Sequence, residues 1–322
     1  EMELVFYFFF RKFTYYEKRV TIKSNSCYKY YKTVSKGDFF MAMIDLHVHS
    51  TASDGTYSPS QVVELAKKAG LTAIALTDHD TVRGVGEASK AGQAHRVRVI
   101  PGIELSSNYE GTEIHILGLF VRSDDKEFLA ALERFSAIRQ ERNREMLNRF
   151  EAAGIHLPPE ILTGSNPDTV ITRAHVARAL VSLGYSPSMD QAFQKYLQYG
   201  GKYCPPKNAP APETIVRTLK DNGAFVSLAH PMQYKLGDSK LYQLVSAMKS
   251  WGMEGIEVYH SSHNSLDIRK LSDLARQLSL LPTGGSDFHG SNKPKIAIGV
   301  GRGNLQIDES LLENIDILRR KA

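Results

Sequence analysis

Cysteine is scarce in this sequence: Cys27 and Cys204 are the two in 322 residues. That excludes a disulfide-stapled scaffold and a cysteine-rich zinc module, and it suits a reducing cytoplasm, where we expect the protein to work. Long apolar runs are missing too. None approaches the roughly 20 residues of a membrane-spanning helix, so no membrane partner is expected. A secretory leader in its usual order is also absent. The apolar run from Leu4 to Phe10 is followed, not preceded, by lysines and arginines, and no small-residue cleavage site comes after it. The body carries no low-complexity tract. Charge is only mildly one-sided, at +5. That excess agrees with an anionic substrate and equally with a harmless surface surplus, because net charge does not choose a partner. No obligate protein partner is evident.

Three regions differ in texture. Residues 1–42 are rich in Phe, Tyr, Lys and Arg, and the chain opens on Glu1, whereas Met41 or Met43 stands directly before the first clear strand. We read 1–42 as a disordered or appended leader. A basic aromatic arm that touches nucleic acid or membrane is the sharper alternative. Residues 43–152 and 213–322 alternate short apolar runs with helical patterns. Strands are expected at Ile44–His49, Ala73–Thr77, Val97–Ile103, Ile114–Phe120, Ala224–Ala229, Gly255–Tyr259 and Leu281–Gly284. Helices are expected at Pro59–Gly70, with Ser58 as its cap, Val82–Ala94, Asp125–Ala152, Glu213–Asn222, Leu241–Ser250 and Ser265–Gln277. About seven strands separated by helices form the pattern of a parallel βα sheet or barrel. Residues 153–212 break that rhythm with repeated prolines and two short helical patterns, Arg173–Leu183 and Met189–Leu197. They read as an inserted, mainly helical subdomain.

The ionisable residues fall in a pattern. His47 and His49 end the first strand two residues apart, so both imidazoles point to one side and can reach one cation. Asp54 follows in the next loop. The second strand runs into Asp78-His79-Asp80, the third into Glu104, the fifth into His230-Pro231 and the seventh into Asp287-Phe288-His289, while His115 sits in the fourth strand segment. A lone histidine at a strand end is usually structural. Six strand regions that each bring a His, Asp or Glu toward one end are a different matter, because catalytic loops gather at the C-terminal end of βα barrels. Imidazole with carboxylate suits Zn, Mn or Fe(II) better than Ca or Cu(I). His156, His175, His260 and His263 fit the pattern less cleanly and stay outside this core set. Asp78 and Asp80 are candidates to orient ligand imidazoles, or equally to cap turns.

The string Ile44-Asp45-Leu46-His47-Val48-His49-Ser50 resembles the opening of the PHP (polymerase and histidinol phosphatase) superfamily. It is followed by Asp54-Gly55 and Thr77-Asp78-His79-Asp80. Glu104, His115, His230-Pro231 and Ser286-Asp287-Phe288-His289 look like the later motifs, in order, across about residues 43–300. The nearest branch in kind is that of the 3′,5′-nucleoside bisphosphate phosphatases and 5′-to-3′ exoribonucleases. The resemblance implies a distorted seven-stranded βα barrel and three divalent metal ions, Mn²⁺ foremost, with Zn²⁺ or Fe²⁺ as alternatives. By the same likeness His47, His49, Glu104 and Asp287 hold the first metal. Glu104 bridges to a second with His115 and His230, and Asp54, His79 and His289 hold the third. Histidinol phosphatases of the superfamily often carry His where Asp54 stands, which favours the nucleotide branch.

The chemistry then expected is phosphate ester hydrolysis by a metal-bound hydroxide, with Glu104, Asp287 and His289 in the catalytic cluster. The substrate would be a nucleotide or short RNA. For the grip on phosphate the candidates are Arg173 and His175 first, then Arg178 and Lys202. Arg134, Arg139, Arg142, Arg144 and Arg149 on the long helix are more ordinary as solvated charges. Tyr185, Tyr199 and Tyr203 are candidates to stack on a base. Two other readings stay open: a small-metabolite phosphatase of the histidinol-phosphate type, and a non-catalytic metal- or nucleic-acid-binding module. An amidohydrolase-type deaminase lacks a clear barrel lysine here.

Overall fold

The computed structural model describes residues 42–163, 170–206 and 208–321, and the backbone of 3–8, 16–23 and 26–32. The chain divides into two compact units, residues 1–41 and 42–322. In the first, β1 (Glu3–Phe8), β2 (Tyr16–Lys23) and β3 (Ser26–Lys32) form an antiparallel sheet in that order. The leader reading placed no strands there; the aromatic and β-branched residues of Tyr16–Lys23 suit extended backbone. The rest of that leader lies outside the described residues.

The second unit begins with β4 (Met43–Val48), α1 (Pro59–Lys68), β5 (Leu71–Leu76), α2 (Val85–His95), β6 (Arg98–Tyr109), β7 (Thr112–Leu119) and α3 (Lys126–Ala152). Short helices follow: α4 (Pro159–Thr163), α5 (Arg173–Ser182) and α6 (Met189–Tyr196). Then come α7 (Pro212–Asp221), β8 (Phe225–Leu228), α8 (Asp238–Ser250), β9 (Gly255–His260), α9 (Ser265–Gln277), β10 (Leu281–Gly285) and α10 (Ser310–Lys321). Among the described residues no helix is long and apolar enough to cross a membrane.

Strands β4 to β10 form one seven-stranded sheet in sequence order. Its two edges nearly meet. The amide of Asp287, just past β10, donates to His47 O at 2.9 Å, and that of His49 to Phe288 O at 3.0 Å. The sheet is thus a nearly closed barrel, as expected.

One strand departs from the parallel scheme. β6 and β7 are the arms of a hairpin turned by Glu110 and Gly111 at φ 48° and 83°, and β7 runs antiparallel to both neighbours. Positive φ at both turn residues is the two-residue geometry that matches strand twist. His115 therefore does not end its strand. It lies early in β7, opposite Ser106, and reaches the catalytic end of the barrel because its strand is reversed.

Local chemistry explains the helices. Ser58 caps α1 in a reciprocal box with Gln61, and Asp125 caps α3 by accepting from the amides of Glu127 and Phe128. Val62, Val63 and Ala66 of α1 pack with Ile74 and Leu76 of β5, whereas Leu241, Leu244, Leu271 and Met248 cover the opposite side with Val226 and Ile256. The helical insert has its own apolar cluster, including Val176, Leu180, Ala192 and Leu197, but takes Met146 and Phe150 from α3. Its packing thus begins inside the long helix, ahead of residue 153.

Candidate metal centre

Glu104 lies at the middle of the site, fully buried on β6. Its Oε2 is 3.3 Å from His47 Nε2, 3.3 Å from His49 Nε2 and 3.1 Å from His79 Nδ1. Its Oε1 is 3.0 Å from His115 Nδ1 and 2.9 Å from His230 Nε2. The two oxygens of one carboxylate therefore serve two separate sets of imidazoles. Asp287 Oδ1 stands 3.7 Å from His47 Nε2 and 3.5 Å from His49 Nε2. Asp54 Oδ1 is 3.2 Å from His289 Nε2, and its Oδ2 is 3.8 Å from His79 Nε2. All nine residues that the resemblance nominated as ligands are thus gathered at one end of the barrel.

The residues present fit divalent cations. His47 Nε2, both nitrogens of His49, His79 Nδ1 and Glu104 Oε2 are buried without a hydrogen-bond partner among the described residues. Polar atoms taken out of water and left unpaired are costly, and clusters of them mark a missing partner. The donors fall into close sets: His49, Asp54, His79 and His289; His47, Glu104 and His230; His47, His49 and Asp287; His79, Glu104 and His115. Mixed nitrogen and oxygen donors of this kind suit Zn, Mn or Fe(II).

Electrostatics points the same way. Burial opposes ionisation of Glu104, yet His79, His115 and His47 hold its carboxyl well below the usual range. Burial likewise opposes a charge on Asp287, and Lys293, His289 and His260 outweigh it and keep the group ionised. Burial pushes His49 down to about 4, helped by His289. His47 is also penalised by burial, but Glu104 and Glu257 raise it well above an ordinary imidazole. The pocket is built to favour positive charge at its centre. Asp80, His230 and Asp287 all have positive φ, at 52°, 24° and 58°. Such backbone strain concentrates at functional sites.

Around this centre the structure corrects several expectations. Asp78 orients no imidazole. It accepts from the Ser50 amide at 2.8 Å and from the hydroxyls of Ser50 and Ser53 at 2.7 and 2.6 Å, and so fixes the loop that presents Asp54. Asp80 accepts from the Ser106 amide at 2.9 Å and pairs with Arg139, which is buried and not solvated. His175 is buried and engaged within its own helix. Its Nδ1 accepts from the Thr172 amide at 3.1 Å in the cap of α5, and burial pushes its pKa down to about 4. The Thr172 hydroxyl in turn donates to Asp54 Oδ2 at 3.0 Å, so the insert reaches the metal centre through its helix cap.

Arg173 is engaged by Glu113 at 2.5 Å and by the ring of Tyr199, 3.9 Å below it. Arg178 donates to Asn292 Oδ1 at 3.3 Å, and Asn292 donates to the Asp54 carbonyl at 2.6 Å. Lys202 is exposed and lies over Tyr203, away from the cluster's hydrogen bonds. Tyr203 itself is stacked on Phe150 in the insert's core.

Residues absent from the sequence-based set also belong here. Glu257 is fully buried with Oε1 at 3.0 Å from His47 Nδ1. His260 Nε2 is 3.4 Å from Asp287 Oδ2, and Lys293 Nζ is 2.6 Å from the same oxygen. His260 ends β9 as the other site residues end theirs, which was the available signal. Glu257 and Lys293 carried none.

Residues 45–203 match the PHP domain. A 5′-3′ exoribonuclease of Haemophilus influenzae is 36% identical over 248 residues, 76% of this chain and 89% of that protein. The chain belongs to the PHP family. A 3′,5′-nucleoside bisphosphate phosphatase of Chromobacterium violaceum is 34% identical over 251 residues, 77% of this chain and 88% of its own. A structure from Bifidobacterium adolescentis described as a metal-dependent phosphoesterase superposes with a TM-score of 0.75 at 29% identity, covering 86% of this chain and 96% of that one. This PHP protein is a metal-dependent hydrolase of phosphate esters.

Proposed function

We propose that the protein hydrolyses phosphate esters of nucleotides that carry a second phosphate: it dephosphorylates 3′,5′-nucleoside bisphosphates, cuts nucleotides from the 5′ ends of short RNAs, or both. The observation that carries this reading is the shared carboxylate of Glu104 between two sets of imidazoles, in a chain whose relatives bear those two names. His47, His49, Glu104 and Asp287 would hold one cation, Glu104 with His115 and His230 a second, and Asp54, His79 and His289 a third. Mn²⁺ is the cation we favour, and the cytoplasm the compartment. Bound there, divalent cations supply an activated water and neutralise charge that builds on the phosphoryl oxygens.

The chain's own groups do the rest. Glu104 stays ionised against its burial because histidines surround it. Lys293 holds Asp287 and keeps its side chain 37% exposed, at hand for an incoming anion. Arg142 is buried on the inner face of α3. Its hydrogen bonds go to Tyr199 Oη at 3.4 Å and Asn143 Oδ1 at 3.2 Å, and no carboxylate pairs with it among the described residues. A buried guanidinium without a counter-charge favours an anionic ligand, and its planar donors suit phosphate. Arg142 thus replaces His175 as the better candidate for the second phosphate.

The test is phosphate release with Mn²⁺ from adenosine 3′,5′-bisphosphate and histidinol phosphate, and mononucleotide release from a 5′-phosphorylated oligoribonucleotide, each with and without chelator. Fast, chelator-sensitive turnover of the bisphosphate or the oligoribonucleotide is expected. Turnover of histidinol phosphate alone would overturn the substrate reading while leaving the metal centre in place.

A further inference from the structure

β9 is the strand to which the sequence assigned no site residue, yet its Glu257 touches two nominated metal ligands at once. Oε1 lies 3.0 Å from His47 Nδ1, and Oε2 accepts the backbone N–H of His230 at 2.6 Å. The side chain is fully buried. An ionised carboxylate only accepts hydrogen bonds. With His47 Nδ1 donating to Oε1, its Nε2 is left to face Glu104 and Asp287, 3.3 and 3.7 Å away. Glu257 is not among the closely spaced ligand atoms of the described residues, and both its oxygens already have partners. It is therefore placed to orient ligands and not to be one.

The second contact is equally specific. His230 has φ 24° and ψ 56°, a conformation that non-glycine residues rarely adopt. Its amide is held by Glu257, and its Nε2 meets Glu104 at 2.9 Å. His47 comes from β4 and His230 from the end of β8, so one side chain sets a ligand of each imidazole set around Glu104.

We propose that Glu257 is a positioning residue of the metal centre, fixing the tautomer of His47 and the strained backbone of His230. This rests on the metal-centre reading above. A carboxylate on the far nitrogen of a ligand imidazole orients the ring and raises its basicity, and its loss typically costs about 10–100-fold in metal affinity or activity.

Glu257→Gln tests the idea with almost no change of shape. An amide offers one acceptor and one donor group. If its oxygen keeps the His230 amide, its NH₂ faces His47 Nδ1 and drives the ring hydrogen to Nε2, against the metal. Metal-stripped full-length protein would be titrated with Mn²⁺ against a competing fluorescent chelator, alongside thermal melts without metal. Expected for Glu257→Gln are Mn²⁺ affinity lower by about 10–100-fold, a metal-free melting temperature near wild type, and a larger fall in kcat than rise in KM. Glu257→Asp, which keeps the carboxylate, should recover part of the affinity. Wild-type Mn²⁺ affinity in Glu257→Gln would overturn the proposal. So would a lowered metal-free melting temperature with unchanged affinity, since that is the mark of a scaffold role. Wild-type protein that took up no Mn²⁺ would instead overturn the metal-centre reading itself.

Discussion

At the scale of single residues, the site depends on polar atoms that have no other business in a protein interior. Glu104 shares its two oxygens among five imidazole nitrogens, belonging to His47, His49, His79, His115 and His230. Glu104→Gln removes the charge that two sets of ligands share. Phosphate release should fall by more than about 100-fold, the upper scale for losing mere support of a ligand, and Mn²⁺ uptake should fall with it. His47→Ala with His49→Ala should abolish hydrolysis while leaving the folded far-ultraviolet circular dichroism spectrum in place; near-full activity would show the site to be elsewhere. Arg142→Gln should reduce the preference for bisphosphorylated substrate over an aryl phosphate by about 10-fold or more, the equivalent of losing one charged hydrogen bond. An unchanged preference would remove Arg142 from recognition.

At the scale of elements, close approach between strands places the ligands. β10 lies so near β4 that a Cβ on Gly285 would come within 2.2 Å of His47 Cβ and 2.6 Å of His47 N. Gly285→Ala must push β4 away. It should destabilise the protein by about 1–3 kcal/mol, as overpacking does, and lower Mn²⁺ affinity with it; denaturant melts and metal titration would check both. Ser58→Ala removes one half of the capping box on α1 and should cost about 1 kcal/mol, with activity kept, since α1 supplies no ligand. Most elements were legible in advance because caps and periodicity are local. α9 was read at Ser265–Gln277, where it stands, and α3 begins one residue after its Asp125 cap. The β6–β7 hairpin was not, because Glu110-Gly111 is a weaker turn signal than Asn-Gly or Asp-Gly, and two apolar runs so close together also fit successive strands. α10, at Ser310–Lys321, was missed as well.

At the scale of the whole molecule, residues 42–322 form one compact unit that holds every described member of the site. A chain shortened to this unit should release phosphate within about twofold of the full-length rate, as expected when one compact unit carries the whole site. A large loss of activity on RNA alone would give the N-terminal unit a role in substrate binding. The insert, by contrast, is tied to the centre through Thr172 and Asp54, and through Arg178 and Asn292.

The sequence by itself determined the order of strands and helices, and it showed which of them end in His, Asp or Glu. Those are local properties, written in alternation, caps and spacing. Tertiary structure alone decided that β7 is reversed so that His115 reaches the site, that Glu257 stands behind His47, and that Asp80 pairs with Arg139. Each of these depends on which distant segments lie side by side. A mid-strand glutamate looks the same in the sequence whether its neighbour 210 residues away is an imidazole or water, and only the closing of the barrel settles which it is.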